Sequence, residues 1–247
     1  MLQYAAIVAV ILSCVYFFLK PIGSMDDLAI AYVDITIPNE RGVMLTLADG
    51  EKVVVGNEKR EVIFEKTGNV NIKQEGRNEL VYENVKISEK RNVEEEAMNE
   101  ITVPAGERVS IILSDGTKVW LNSESAIRYP VRFGIGKRVV TVKGNVYFEV
   151  TKDVSRPFFV VMKDMETEVL GTSFEVNTYG DHGEIYMALV EGCVRVRSGN
   201  HVVVAKPNEQ VALDLESRKI STKEVDAARL VAWKDGVLMI KNEPFVD

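Results

Sequence analysis

Residues 36–55 read TIPNERGVMLTLADGEKVVV, and residues 102–121 read TVPAGERVSIILSDGTKVWL. The two stretches align without a gap, and eight of the twenty positions are identical. Each has an Asp-Gly pair between two runs of alternating apolar residues, a pattern typical of a β-hairpin. The sequence therefore predicts that the same hairpin is built twice, which favours an all-β fold.

The loop of each hairpin follows from the residues that must face the core. A two-residue loop would pair Leu47 with Lys52 and send the apolar residues of the two strands to opposite faces. A three-residue loop, with glycine in the left-handed region and a bulge, pairs Leu45 with Val53 and leaves one apolar face. Because register follows the buried face, we predict the three-residue loop in both copies.

A second, shorter repeat relates residues 142–148 to residues 190–196. Each copy has a glycine between two β-forming runs, Gly144 in one and Gly192 in the other, and we expect a tight bend or a bulge at both. The chain as a whole predicts an all-β fold, either a sandwich or a solenoid-like stack of short antiparallel strands. We expect continuous β structure from about Asp34 to Ile220.

The predicted core includes three large aromatic side chains, Trp120, Phe148 and Phe174. Aromatic residues in strands are usually buried, although Trp120 and Trp233 could instead line a carbohydrate platform. Cys193 is expected to be a small buried hydrophobic residue.

The N-terminal residues 1–19 contain no charged side chain. A helix of that length spans about 28 Å, close to the ~30 Å hydrocarbon core of a bilayer. We expect residues 1–20 to form one transmembrane helix. Two alternatives fit less well. A cleaved signal peptide would have a basic region before the apolar run and an Ala-x-Ala site after it, and the sequence has neither. A lipoprotein signal ending at Cys14 would be followed by a polar tether, whereas residues 15–19 are apolar. A span without flanking charges at residue 1 also leads us to expect an upstream segment.

The C-terminal residues 226–247 predict a short helix and then a strand. Asp226 is placed to cap a helix over residues 227–234, and the strand covers residues 236–241. That strand is apolar on both faces, which is typical of a strand with neighbours on each side. Candidate partner-binding residues are therefore Val237, Leu238, Met239, Ile240 and Phe245.

Composition disfavours several other functions. The net charge is −7, and no stretch concentrates Lys and Arg, so we predict no binding to nucleic acid. The only histidines are His182 and His201, and Gly-x-Ser-x-Gly is absent. We predict no catalytic, cofactor-binding or metal site. Residues 133–137 lack the glycine spacing of a phosphate loop and are predicted to form a hairpin turn.

Several short motifs, in order, resemble the FecR-type domain of bacterial anti-sigma and sigma-regulator proteins. They occupy residues 103–106, 113–123, 128–130, 144–150, 169–174, 189–192 and 232–236.

The resemblance implies a single-pass inner-membrane protein with its C-terminal domain in the periplasm. Residues 21–225 would be the FecR-like β domain, and residues 226–247 the start of a small secretin/TonB-like subdomain that contacts the receptor. The implied partners are the signalling domain of a TonB-dependent outer-membrane receptor and, through a cytoplasmic region not contained in these residues, an extracytoplasmic-function sigma factor.

Two other functions stay open at this point. A carbohydrate-binding or envelope-scaffold β domain would be favoured by an exposed aromatic platform. An envelope hydrolase would need convergent carboxylates or a pair of histidines in a cleft.

Overall fold

The computed structural model describes residues 32–37, 42–56, 62–65, 70–75, 79–83 and 97–237. These residues contain nineteen strands and one short α-helix. The strands are β1 Met44–Thr46, β2 Lys52–Val54, β3 Val62–Glu65, β4 Val70–Glu75, β5 Glu79–Glu83, β6 Met98–Val103, β7 Val109–Ile112, β8 Lys118–Leu121, β9 Ser125–Pro130, β10 Arg138–Lys143, β11 Asn145–Glu149, β12 Phe158–Val161, β13 Glu166–Val169, β14 Ser173–Asn177, β15 Glu184–Glu191, β16 Val194–Ser198, β17 His201–Ala205, β18 Glu209–Asp214 and β19 Ile220–Glu224; the helix is α1 Ala227–Leu230.

The strands form two sheets that share one apolar core. In the described ranges the first sheet has the order β17-β16-β13-β12-β10-β9-β6-β1-β2, and the second has the order β19-β18-β15-β14-β11-β8-β7-β5-β4-β3. The chain crosses repeatedly from one sheet to the other. With nineteen strands and one short α-helix, the described residues confirm the all-β prediction. Most neighbouring strands are antiparallel, as predicted, but β10 with β12 and β5 with β7 are parallel pairs.

Both hairpins have the predicted three-residue loop. Leu45 pairs with Val53 in the first copy, and Ile111 pairs with Val119 in the second. The amide of Leu47 donates to the Glu51 carbonyl at 2.8 Å, and Gly50 has φ +88°, in the left-handed region. One apolar face results in each hairpin, which confirms that the buried face sets the register.

The glycine of the second repeat lies where the chain passes between the sheets. At Gly144 the chain leaves β10 of the first sheet for β11 of the second, and at Gly192 it passes in the opposite direction from β15 to β16. Both glycines have positive φ, +89° and +101°. A Cβ at Gly144 would lie only 2.6 Å from Ser125 Cα, so only glycine fits this bend.

The core lies between the sheets and contains two of the three predicted aromatic residues. Phe148 and Phe174 are fully buried and stack with their ring centroids 5.3 Å apart. The prediction for Trp120 was wrong. Its neighbours Val119 and Leu121 point into the core, so strand alternation sends Trp120 to the outer face, where it is half-buried.

The C-terminal helix is shorter than predicted. Asp226 caps it, since its Oδ1 accepts a hydrogen bond from the Arg229 amide at 3.1 Å. α1 ends at Leu230, and residues 232–235 form a 3-10 turn in place of further α-helix. Gly236 ends that turn in the left-handed region, so the predicted strand does not begin at residue 236.

The predicted transmembrane helix at residues 1–20 lies outside the described residues. Within the ranges that the structure describes, no helix is long and apolar enough to cross a membrane.

Candidate partner-binding site

Residues 226–236, named here the docked segment, pack on the outer face of the second sheet. α1 contacts β15, and Ala227 and Val231 are buried. The segment leads directly to Val237, the first of the candidate partner-binding residues. Its contacts with the sheet therefore set the position from which those residues start.

A hydrogen bond joins Trp233 of the docked segment to Glu175 of the sheet. The indole Nε1–H of Trp233 donates to Glu175 Oε1 at 2.9 Å. Glu175 is in β14 between Tyr147 of β11 and Ala188 of β15, and only 1% of it is exposed. The segment thus rests on a carboxyl group that is closed off from solvent.

Burial changes the acidity of this carboxyl group. Loss of solvation raises the pKa of Glu175 from 4.5 to about 7, while the hydrogen bond from Trp233 and the neighbouring Asn145 side chain act in the opposite direction. Two buried oxygens here, Glu175 Oε2 and Asn145 Oδ1, accept no hydrogen bond. A buried acceptor without a donor is costly, so this site favours an added proton.

Two cations hold the rim of the docked segment. Lys234 Nζ lies 5.6 Å from the ring centroid of Trp120 and 5.4 Å from that of Tyr147. Arg108 lies 5.9 Å from the Trp233 ring, and its Nη1 donates to the Trp233 carbonyl at 3.1 Å. The cations of these contacts cover the aromatic rings. The rings therefore do not form the open platform that a carbohydrate-binding domain would present.

Of the predicted partner-binding residues, the structure describes only Val237. It is 50% exposed, and its amide donates to the Ala232 carbonyl at 3.2 Å. Leu238, Met239, Ile240 and Phe245 lie outside the described residues. Their role in partner binding stays a prediction.

The described residues give little support for a metal site, a reactive cysteine or a phosphate loop. No group of three or more His, Cys, Asp or Glu side chains there could hold a metal ion. Cys193 is buried beside Leu170 and Val204, as predicted for a small hydrophobic residue. Residues 131–137 connect the antiparallel strands β9 and β10, which confirms the hairpin in place of a phosphate loop.

A groove of about 540 Å³ lies beside Tyr147. Polar groups dominate its lining, and both lysines (Lys118 and Lys152) and glutamates (Glu149 and Glu191) are present. It lacks the apolar walls that small-molecule sites usually have.

The sequence predictions missed Glu175, Lys234 and Arg108. Alternation in β14 was the available signal for Glu175, because Phe174 and Val176 point into the core and the residue between them must point outward. No sequence feature near residue 175 indicates that the docked segment covers this outward-facing side chain.

The fold and this site together define a two-sheet β domain with a C-terminal segment docked on one outer face. The sequence model described as FecR protein matches residues 99–195, from β6 to β16. This chain belongs to the FecR family.

Two crystal structures of predicted anti-sigma factors from Parabacteroides distasonis are similar to this chain. One has 33% sequence identity and a TM-score of 0.56 and covers 60% of this chain and 69% of its own. The other has 34% identity and a TM-score of 0.54 and covers 56% of this chain and 65% of its own. No curated protein matches the chain.

Proposed function

We propose that this chain is the periplasmic part, with its membrane span, of an anti-sigma-type regulator in the inner membrane. It receives a signal by protein contact from the signalling domain of a TonB-dependent outer-membrane receptor. It relays that signal to an extracytoplasmic-function sigma factor through a cytoplasmic region. It works by binding and does not catalyse a reaction.

Two kinds of observation support this proposal. Membership of the FecR family and similarity to predicted anti-sigma factors favour a role in sigma-factor regulation. The uncharged residues 1–19 have the length and composition of a membrane span, which would link a periplasmic domain to the cytoplasm.

The observation that carries the receptor contact is the path of the docked segment. One hydrogen bond to the buried Glu175 and three cation–π contacts hold residues 226–236 on the sheet. The chain then emerges at Val237, an exposed apolar residue followed by Leu238, Met239 and Ile240. An apolar run that starts from a fixed position is suited to pairing with a strand or a groove of a partner.

A transcription reporter in cells tests the proposal. Val237→Asp would put a charge into the predicted contact. Val154→Asp is the matched control, because Val154 is also an exposed valine (56%) and lies in the loop between β11 and β12. We expect Val237→Asp to lower ligand-dependent induction by roughly tenfold, the factor that about 1.4 kcal/mol of lost contact energy gives. Equal induction in both variants and the unaltered protein would contradict the proposed contact.

A further inference from the structure

Glu175 stands apart from the other acidic residues of the second sheet because the docked segment covers it. Glu175 is 1% exposed, and its carboxyl group accepts a hydrogen bond from a side chain of the segment above it, Trp233. The acidic residue at the end of the neighbouring strand, Glu191, is exposed. Departure of the segment would remove the Trp233 side chain that lies against Glu175.

The unpaired oxygens show what this site lacks. Glu175 Oε2 and Asn145 Oδ1 are both buried acceptors without a donor. Protonation of Glu175 turns one of them into a donor and removes a buried charge at the same time. The Asn145 side chain beside this carboxyl group favours the charged form, but loss of solvation outweighs it, so the pKa of Glu175 rises.

We infer that Glu175 is a proton-binding site that controls how tightly the docked segment is held: the segment stays on the sheet when the carboxyl group carries a proton, and it leaves more readily when that proton passes to the solvent. Because the segment leads to Val237, the same proton would regulate the proposed receptor contact, and this consequence rests on the proposed function.

Glu175 is the group at this site whose pKa is shifted to between pH 5 and pH 8. Tyr147 of β11 and Tyr186 of β15 face it from the adjoining strands, and burial raises the pKa of each to about 12. On the segment side, Lys234 lies over Trp120 and Tyr147, and Arg108 lies over Trp233. Asp235 and Glu149 lie near Tyr147, and neither contributes to the shift at Glu175.

The direction of the effect follows from linkage. Exposed, the carboxyl group has its ordinary pKa of 4.5; under the segment, loss of solvation raises that pKa to about 7. Docking is therefore most favourable below pH 4.5, weakens as the pH rises and has lost this contribution above pH 7. Between pH 5 and pH 8 the docking equilibrium should weaken by roughly 10- to 100-fold.

Hydrogen exchange of the Trp233 indole N–H, followed by NMR in the full chain, tests this inference. The chain has two tryptophans, and Trp120→Phe assigns the two indole signals. After correction for the exchange rate of free indole, protection of Trp233 should fall by roughly 10- to 100-fold from pH 5 to pH 8. Backbone amides of the core strand β11 provide the internal reference, since global unfolding would change them equally.

Two variants sharpen the test. Glu175→Gln keeps an acceptor for the indole but cannot titrate, so the protection of its Trp233 indole N–H should not change with pH. Glu191→Gln, at an exposed position on the same sheet, should behave like the unaltered protein. A flat profile in the unaltered protein, or an unchanged slope in Glu175→Gln, overturns the inference. If Glu175→Gln does not fold, the profile of the unaltered protein decides alone. None of these outcomes depends on a receptor, so they are separate from the test of Val237.

Discussion

Arg138 Nη1 donates a hydrogen bond of 2.7 Å to Asp115 Oδ2, and both side chains are almost completely buried. The pair joins the start of β10 in the first sheet to the β7–β8 turn of the second. Arg138 also donates to the carbonyls of Thr151 and Arg156, at 2.8 and 2.9 Å. The repeated Asp-Gly turn has thus become a connection between sheets in its second copy.

Removing the charge of Asp115 should therefore cost far more than the same change in the first copy. In each turn Asp Oδ1 accepts from the amide two residues later, at 2.9 Å, and asparagine can keep that bond. Asp115→Asn leaves Arg138 buried without its counter-ion and should lower the free energy of unfolding by about 3 kcal/mol. Asp49→Asn, at an exposed turn, should change it by less than about 1 kcal/mol. Urea denaturation of both variants measures the difference, and equal losses would contradict this role of Arg138.

The bend at Gly144 should not accept any side chain. An alanine Cβ there would lie 2.3 Å from Ser125 Oγ and 2.7 Å from the Glu124 carbonyl. Gly144→Ala should therefore cost more than about 3 kcal/mol or prevent folding.

Gly199→Ala is the control for backbone strain alone. Gly199 also has positive φ, but a Cβ there would have nothing within 4 Å. It should cost about 1 kcal/mol. Thermal unfolding compares the two alanine variants, and similar melting temperatures would show that the sheet crossing tolerates a wider bend.

The two faces of the second sheet should respond differently to loss of an aromatic ring. Phe148 is fully buried and contacts Phe158 as well as Phe174, so Phe148→Ala should cost about 3–5 kcal/mol. Trp120 is half-buried on the outer face, and Trp120→Ala should cost clearly less. Denaturant midpoints of the two variants test this order, and the reverse order would mean that the outer face carries more of the stability.

Stability should also depend on pH through Glu175. Burial raises the pKa of this acid to about 7, so its contribution is present in full below pH 4.5 and lost as the pH rises through 7. Relative to Glu175→Gln, the unaltered protein should lose about 2 kcal/mol of unfolding free energy between pH 5 and pH 8. Denaturant titrations of both proteins at several pH values measure it, and parallel curves would mean that Glu175 carries the same charge folded and unfolded.

The sequence predicts features that depend on neighbours along the chain. Parity of apolar residues gives the loop of both hairpins, and the short repeat gives the bends at Gly144 and Gly192. The same parity rule indicates that Trp120 points outward between Val119 and Leu121, whereas the general preference of aromatic residues for the core predicts the opposite. Alternation within a strand was the better guide.

Contacts between distant residues could not be predicted in this way. Trp233 and Glu175 are 58 positions apart, and Arg138 and Asp115 are 23 apart. Each pair depends on the order of strands in the sheets and on where the chain crosses between them. Neither order nor crossing follows from the local alternation that predicts single strands.

We propose that the region starting at Val237 contacts a receptor signalling domain. Isothermal titration of the full chain against one purified signalling domain of a TonB-dependent receptor tests it most directly, with Val237→Asp and the matched control Val154→Asp alongside. We expect measurable binding that Val154→Asp leaves unchanged and Val237→Asp weakens at least tenfold, about 1.4 kcal/mol. Equal affinities for all three proteins would contradict it and would assign the contact to another surface of the β domain.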